Sequence, residues 1–417
     1  MTSSSPCPVA ELRRIFEQAL KVADPGPHIA EACKQLPGDR YTVVALGKAA
    51  VLMANAALAA LADGGREVCG GLVVAPEPAA AVELPVAIGS HPVPDDGSER
   101  AGRRLIEVVS DSDAPVLALI SGGGSALAAV PADGLTLADK REAASLVMAA
   151  GASIDELNAV RKHLSAIKGG RLGQLASHGI TTLAMSDVVG DDLAVIASGP
   201  TVADPSTFAE AVAVCRRYQI WEQLPRPVAE HLSAGERGQC PETPTEVAGE
   251  ARVVVPIGHA AEQAVAVVAA GGGRARVDPL PGGKVSKVAA ELASRLRTLP
   301  SGEVWIGFGE PVVEVPSSPG QGGRAHHLAM LLARELVGHS VTVLVAGTDG
   351  IDGNSPSAGA VVDGDSWSAL CAAGDPQASL AHFDTYPALA AVGATVEIGR
   401  TGVNFADLVI AVGSRPS

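Results

Sequence analysis

Three consecutive glycines between two serines, Ser121, Gly122, Gly123, Gly124 and Ser125, follow the apolar run APVLALI and open a helical pattern. Without Cβ atoms a ligand can come close to the backbone N–H groups of such a loop, and a helix start adds positive potential. An anion such as a phosphate suits both features. A permissive tight turn accounts for the same residues. Gly47-Lys48 occupies the equivalent place after YTVVAL, so the lysine stands at a helix start as a point charge for phosphate; a solvated lysine is the plainer alternative. Neither GxxxxGK(S/T) nor GxGxxG after a strand occurs, which weakens the P-loop and dinucleotide readings together.

Carboxylates gather in two further loops, Asp187, Asp191 and Asp192 in SDVVGDD and Asp349 with Asp352 in GTDGIDG. Hard oxygen ligands beside bound phosphates are what Mg²⁺ takes, since it keeps waters and needs only one or two protein carboxylates. Asp-Gly pairs are also ordinary turn formers. Arg324 follows Gly322 and Gly323, a guanidinium placed to clamp a carboxylate or phosphate. The ten histidines show no metal-ligand spacing, and His326-His327 beside Arg324 are the pair of interest.

Residues 153–170 predict a helix, with Ser153 and Glu156 as a capping box and Gly169-Gly170 as the stop. Leu157, Val160, Leu164 and Ile167 make an apolar face. Asn158, Arg161, Ser165 and Lys168 repeat at i, i+3, i+7 and i+10 as a polar stripe that either faces an anionic substrate or is solvated.

The elements that must hold these groups share one form, a continuous apolar run, a glycine turn and a helical pattern. YTVVALGKAA, ITTLAMSDVVGDD, ARVVVPIGHAA and VTVLVAGTDG all show it, which predicts largely parallel sheets with crossover helices and ligands beyond the carboxyl ends of the strands. At 417 residues roughly two domains are expected. A polar, Gly/Pro-rich break at 232–249 puts their boundary near 240/241, giving domains 1–240 and 241–417. The irregular stretch 311–323 has the length of a lid or binding loop. A formal net charge of −15 argues against a nucleic-acid or anionic-membrane partner, though a local cationic pocket acts independently beyond the screening distance of about 8 Å. Six scattered cysteines fit buried free thiols. No leader and no membrane span is evident, so a cytoplasmic enzyme is expected.

Taken together these strings resemble the class II glycerate kinases, the glycerate 2-kinase family with a C-terminal MOFRL domain. The likeness runs through GKA at 47–49, HPVPD at 91–95, SGGGSAL at 121–127, LNAVRKHLSAIKGGRL at 157–172, SDVVGDD and IASGPTVADPSTF at 186–208, GGR at 322–324 and GTDGIDG with AGAVVD at 347–363. The resemblance implies an α/β protein with an N-terminal Rossmann-like three-layer domain, a smaller C-terminal α/β domain and an active site in the cleft. It also implies ATP and Mg²⁺, and transfer of phosphate to the 2-hydroxyl of glycerate. It makes Lys48, Arg324 and Asp187 catalytic, and Asp187 and Asp191 metal-binding. Residues 121–125 and Asp349 would hold the nucleotide, and Asn158, Arg161, Lys168 and His327 the substrate. The expected partner is a small hydroxylated molecule, and a homo-oligomer is compatible. Another polyhydroxy acceptor (a sugar acid, sugar or cyclitol) and a catalytically weak metabolite-binding paralogue are the alternatives. The chain departs from the family in the C-terminal half: GGRNxE is GGRAHH here, putting Ala325 and His327 where an amide and a carboxylate are usual, and 356–360 and 399–408 also differ. These changes predict a shifted acceptor preference.

Overall fold

The computed structural model describes residues 7–78 and 82–414. Pro25–Pro256 form one compact unit; the described residues up to Asp24 and from Ile257 onward form the other. The division thus falls at 256/257, not at 240/241. Residues 237–248 belong to the first unit because their polar groups satisfy its interior. The Glu242 carboxylate accepts from the Phe208 N–H and lies 3.0 Å from His163 Nε2, and the Pro241 and Pro244 carbonyls accept from Arg171 and the Asp204 N–H.

The first unit is built on a six-stranded sheet of β1 (Arg40–Leu46), β2 (Glu67–Ala75), β3 (Val86–Ile88), β4 (Val116–Ile120), β5 (Ile180–Met185) and β6 (Gly249–Val255). Its order is β3-β2-β1-β4-β5-β6 and every pairing is parallel, the doubly wound arrangement of nucleotide-binding folds. The continuous apolar runs follow from burial on both faces. Val44, Leu46, Val116, Ala118 and Ile120 meet Leu105 and Val109 of helix Asp96–Ser110, while the alternate residues Val43, Ala45, Leu117 and Leu119 are fully buried on the other side.

The second unit carries β7 (Arg274–Pro279), β8 (Glu303–Gly309), β9 (Val341–Gly347), β10 (Gly359–Asp363), β11 (Thr395–Val396) and β12 (Asp407–Gly413), ordered β11-β10-β9-β12-β8-β7. Only β7–β8 is parallel; the other pairings are antiparallel. The expectation of parallel strands therefore holds for the first sheet only. Both kinds of strand read as continuous apolar runs once both faces are covered. Val343, Val345, Val409 and Ala411 pack with helices Val285–Leu296 and Arg324–Glu335, and their alternates Leu344, Ala346, Leu408 and Ile410 are equally buried. The N-terminal helix Pro8–Val22 packs on this sheet through Leu12, Ile15, Phe16 and Ala19, which explains why the chain's start joins its distal part.

Candidate active site

In the first sheet the strand order reverses between β1 and β4, so the crevice beyond their carboxyl ends is where this topology binds ligands. Gly47-Lys48 and the loop 121–124 are the two turns at that point. They are stitched together: the Lys48 N–H donates to the Gly122 carbonyl at 2.9 Å, the Ser121 N–H to the Leu46 carbonyl at 2.9 Å, and the Ala49 N–H to Ser121 Oγ at 3.1 Å. A side chain on the loop would fill the crevice. A Cβ on Gly123, whose φ is +79°, would lie 3.1 Å from both Lys48 Cγ and His91 Cδ2, and one on Gly122 would run into the Asp187 carboxylate. Lys48, His91, Asp187 and the glycine loop, far apart in sequence, thus surround one point. The helix after the loop, Gly124–Leu127, is a single turn, so it supplies little of the expected dipole.

Behind the loop lies a cavity of about 870 Å³ that Gly123, Ser125, His91, Lys140, Arg161 and Lys168 help to line. The helix foreseen over 153–170 is shorter, Ile154–His163, with the Ser153–Glu156 capping box in place. Ser165 and Lys168 lie beyond its end, so no single helical stripe exists. Tertiary contacts gather its members instead. Lys168 Nζ donates to Ser125 Oγ (2.7 Å) and to the Ser125 carbonyl (2.9 Å), Ser125 Oγ meets Ser198 Oγ (2.6 Å), and Ser198 Oγ donates to Asn158 Oδ1 (3.1 Å). Burial pushes Lys168 well below the usual lysine range, with Lys140 and Arg161 adding repulsion, and lowers Arg161 as well. Lys140, which the sequence reading passed over, is pushed down to about 7 by burial and then by Arg161. A signal existed: Lys140 sits at helical spacing with the buried Leu137, Ala143 and Val147, a cation on an apolar stripe.

Asp187 and Asp191 follow β5, half-buried, Asp191 at φ +55°; Asp192 is exposed and accepts from the Ala194 N–H as a turn former. Among the described residues no group of three or more His, Cys, Asp or Glu could hold a metal. An ion shared with nucleotide phosphates needs only one or two such carboxylates, and Asp187 stands against the glycine loop.

In the second unit Arg324 opens helix Arg324–Glu335, and its Nε and Nη2 donate to Asp407 Oδ2 (2.7 Å) and Glu310 Oε1 (2.6 Å). The guanidinium, foreseen as a clamp, is already charge-compensated, and its pKa stands above the usual range. Burial raises Asp407 to about 7 against the pull of Arg324, because one arginine serves two carboxylates and Asp407 is the buried one. Asp349 Oδ1 accepts from the Ile351 N–H, a local turn. Asp352 accepts from the Ala325 and His326 N–H groups and pairs with His326 Nδ1, so it caps the helix. The departures from the family pattern lie within packing: Ala325 belongs to the hydrophobic core and His327 stacks on Phe383 at 4.5 Å. Burial holds His327 down at about 4. Of the cysteines, Cys33 and Cys215 are the buried thiols; Cys7 and Cys371 are exposed. No helix among the described residues is long and apolar enough to cross a membrane.

Residues 11–233 match the family described as a domain of unknown function, DUF4147, and residues 303–407 match the MOFRL family. A glycerate 2-kinase from Pyrococcus horikoshii is 32% identical, covering 96% of this chain and 96% of its own. A chain from Agrobacterium vitis, provisionally named a hydroxypyruvate reductase, is 41% identical over 95% of this chain and 92% of its own. The crystal structure of glycerate kinase from Thermotoga maritima superposes with a TM-score of 0.81 at 32% identity, covering 97% of this chain and 99% of that one.

Proposed function

We infer the activity from membership: the chain belongs to the class II glycerate kinases, the glycerate 2-kinase family with a C-terminal MOFRL region, and it phosphorylates glycerate. The observation that carries this reading is the meeting of Lys48, Asp187 and the glycine loop 121–124 at the topological switch point of a parallel sheet. We take ATP as donor, Mg²⁺ as metal and the 2-hydroxyl as acceptor.

Phosphoryl transfer asks the protein mainly to position the reactants and to neutralise developing charge. The loop 121–125 would cradle phosphate oxygens through its N–H groups other than that of Ser121, which donates to Leu46, and Lys48 would offset the negative charge that grows on them. Asp187 and Asp191 would hold the metal, which would supply positive charge against the phosphates; Asp187 would alternatively take the hydroxyl proton. Asn158, Arg161 and Lys168 would bind the acceptor. Within the second unit, Arg324, fixed by its two carboxylates, is proposed as a further catalytic cation and Asp349 as a nucleotide contact, while His327, stacked on Phe383, would bear on substrate choice only through the packing around it.

The reductase name of the Agrobacterium relative prompts a second test. A dinucleotide site of this fold needs the glycine fingerprint after β1, where Gly47-Lys48-Ala49 stands instead. ADP release measured over glycerate, other hydroxy acids, sugars and cyclitols, beside NADH oxidation with hydroxypyruvate, tests both. ADP release with glycerate and no NADH oxidation is expected; the reverse would overturn the kinase reading.

A further inference from the structure

Lys140 and Lys168 are 6% and 2% exposed, and with Arg161 they converge on the cavity behind the glycine loop. None of the three forms an ion pair among the described residues. Lys140 Nζ donates only to the Val130 carbonyl, at 3.3 Å, and Lys168 only to Ser125. The acids nearby are Glu142 on the cavity wall and Glu99, which attracts Lys140 from a distance; Arg141 and His91 add to the basic side. Burying cations without counter-charge is costly, and a chain that merely needed to fill this wall would do better with apolar residues. The cavity instead shares Gly123 and Ser125 with the phosphate cradle, so whatever enters it lies against the reacting groups.

We propose that this cavity is an oxyanion subsite of the kinase and that Lys140 is its specificity-determining residue, selecting a substrate through a carboxylate or a phosphate. The proposal rests on the kinase reading above and adds Lys140 to it. The lowered proton affinities of Lys140 and Lys168 agree, since an arriving anion supplies the missing counter-charge and restores their protons. A purely structural lysine, by contrast, would need nothing from solution.

The full-length protein and its Lys140→Met and Lys140→Arg variants are compared by steady-state kinetics and by melting with and without inorganic phosphate. Lys140→Met is expected to raise one Michaelis constant by about ten- to hundredfold, the cost of a lost charge-assisted contact, with kcat little changed. Lys140→Arg should recover most of it. A rise for glycerate assigns the subsite to the acceptor's carboxylate, and a rise for ATP assigns it to the donor's phosphates. Inorganic phosphate should raise the melting temperature of the natural protein by clearly more than that of Lys140→Met, which keeps the glycine loop, Lys168 and Arg161, and Lys140→Gln repeats the measurement should the methionine variant fail to fold. Both Michaelis constants unchanged, with phosphate stabilising natural and variant protein equally, overturns the proposal. If the natural protein does not turn over glycerate at all, the kinase reading fails instead, and the phosphate melting series still decides the anion site.

Discussion

Two cationic sites of this chain, one buried and one half-buried, are built on opposite plans. In the unit Pro25–Pro256 the ammonium groups of Lys140 and Lys168 donate to carbonyls and a serine, while in the other unit Arg324 is gripped by Asp407 and Glu310. An uncompensated cation keeps its attraction for an incoming anion and gives up proton affinity to do so. A doubly compensated one holds its charge and its geometry whether or not a ligand is present. The first arrangement favours recognition, the second positioning, and the difference can be broken experimentally.

The largest effect on stability is expected at Arg324. Replacing it with alanine strands the buried Asp407 carboxylate and should cost about 3 kcal/mol, the low end for a broken buried pair because Arg324 is itself 30% exposed. Thermal denaturation checks it, and adding Asp407→Asn to Arg324→Ala should return part of the loss. A melting temperature unmoved by Arg324→Ala would erase the contrast between the two sites.

Lys48→Ala should behave in the opposite way, lowering kcat about a hundredfold, the rate equivalent of roughly 3 kcal/mol of transition-state contact, while the melting temperature holds. Turnover near that of the natural protein would remove Lys48 from the chemistry. Gly123→Val is expected to be milder in rate and stronger in binding. Its side chain would press on Lys48 and His91 from a backbone at φ +79°, raising the Michaelis constant for ATP by about tenfold. Unchanged nucleotide affinity would reduce the glycine loop to a turn.

The smallest effect is a pH dependence. Asp407 has its folded pKa raised to about 7 from an ordinary value near 4, so its contribution to stability is complete at the acid end and is lost as pH rises from about 4 through about 7. Asp407→Asn should remove that fall, so that the melting temperature gains relative to the natural protein as pH rises over that window. His327, held down at about 4, acts with the other sign: its contribution is present above its ordinary value and lost as pH falls below about 6.5 toward 4. The two slopes oppose each other over nearly the same window, so His327→Phe should make the melting temperature fall more steeply as pH rises from about 4 to 7, and an unchanged slope would show that His327 is not held in its neutral form against Phe383.

The local devices were legible in the chain itself. The β1 and β4 runs with their glycine turns and the Ser153–Glu156 capping box are written within a few residues, because strand burial and capping are decided over that distance, whereas the helix ends at His163 and not at the expected Gly169-Gly170 stop. The repeated strand–turn pattern also carried the parallel order of the first sheet, since crossover connections leave few alternatives.

Other features were settled only by the tertiary structure. A strand covered on both faces has the same residues whether its neighbours run parallel or antiparallel, so the mixed order of the second sheet was not readable from β9 or β12. Ser125 meets Ser198 across 73 residues and Arg324 meets Asp407 across 83, pairings no periodicity encodes. The same holds for charge. Lys140, Lys168 and Arg324 are equivalent cations in the sequence, and which of them finds a carboxylate depends on what the fold brings within about 4 Å, where Coulomb attraction offsets part of the cost of leaving water.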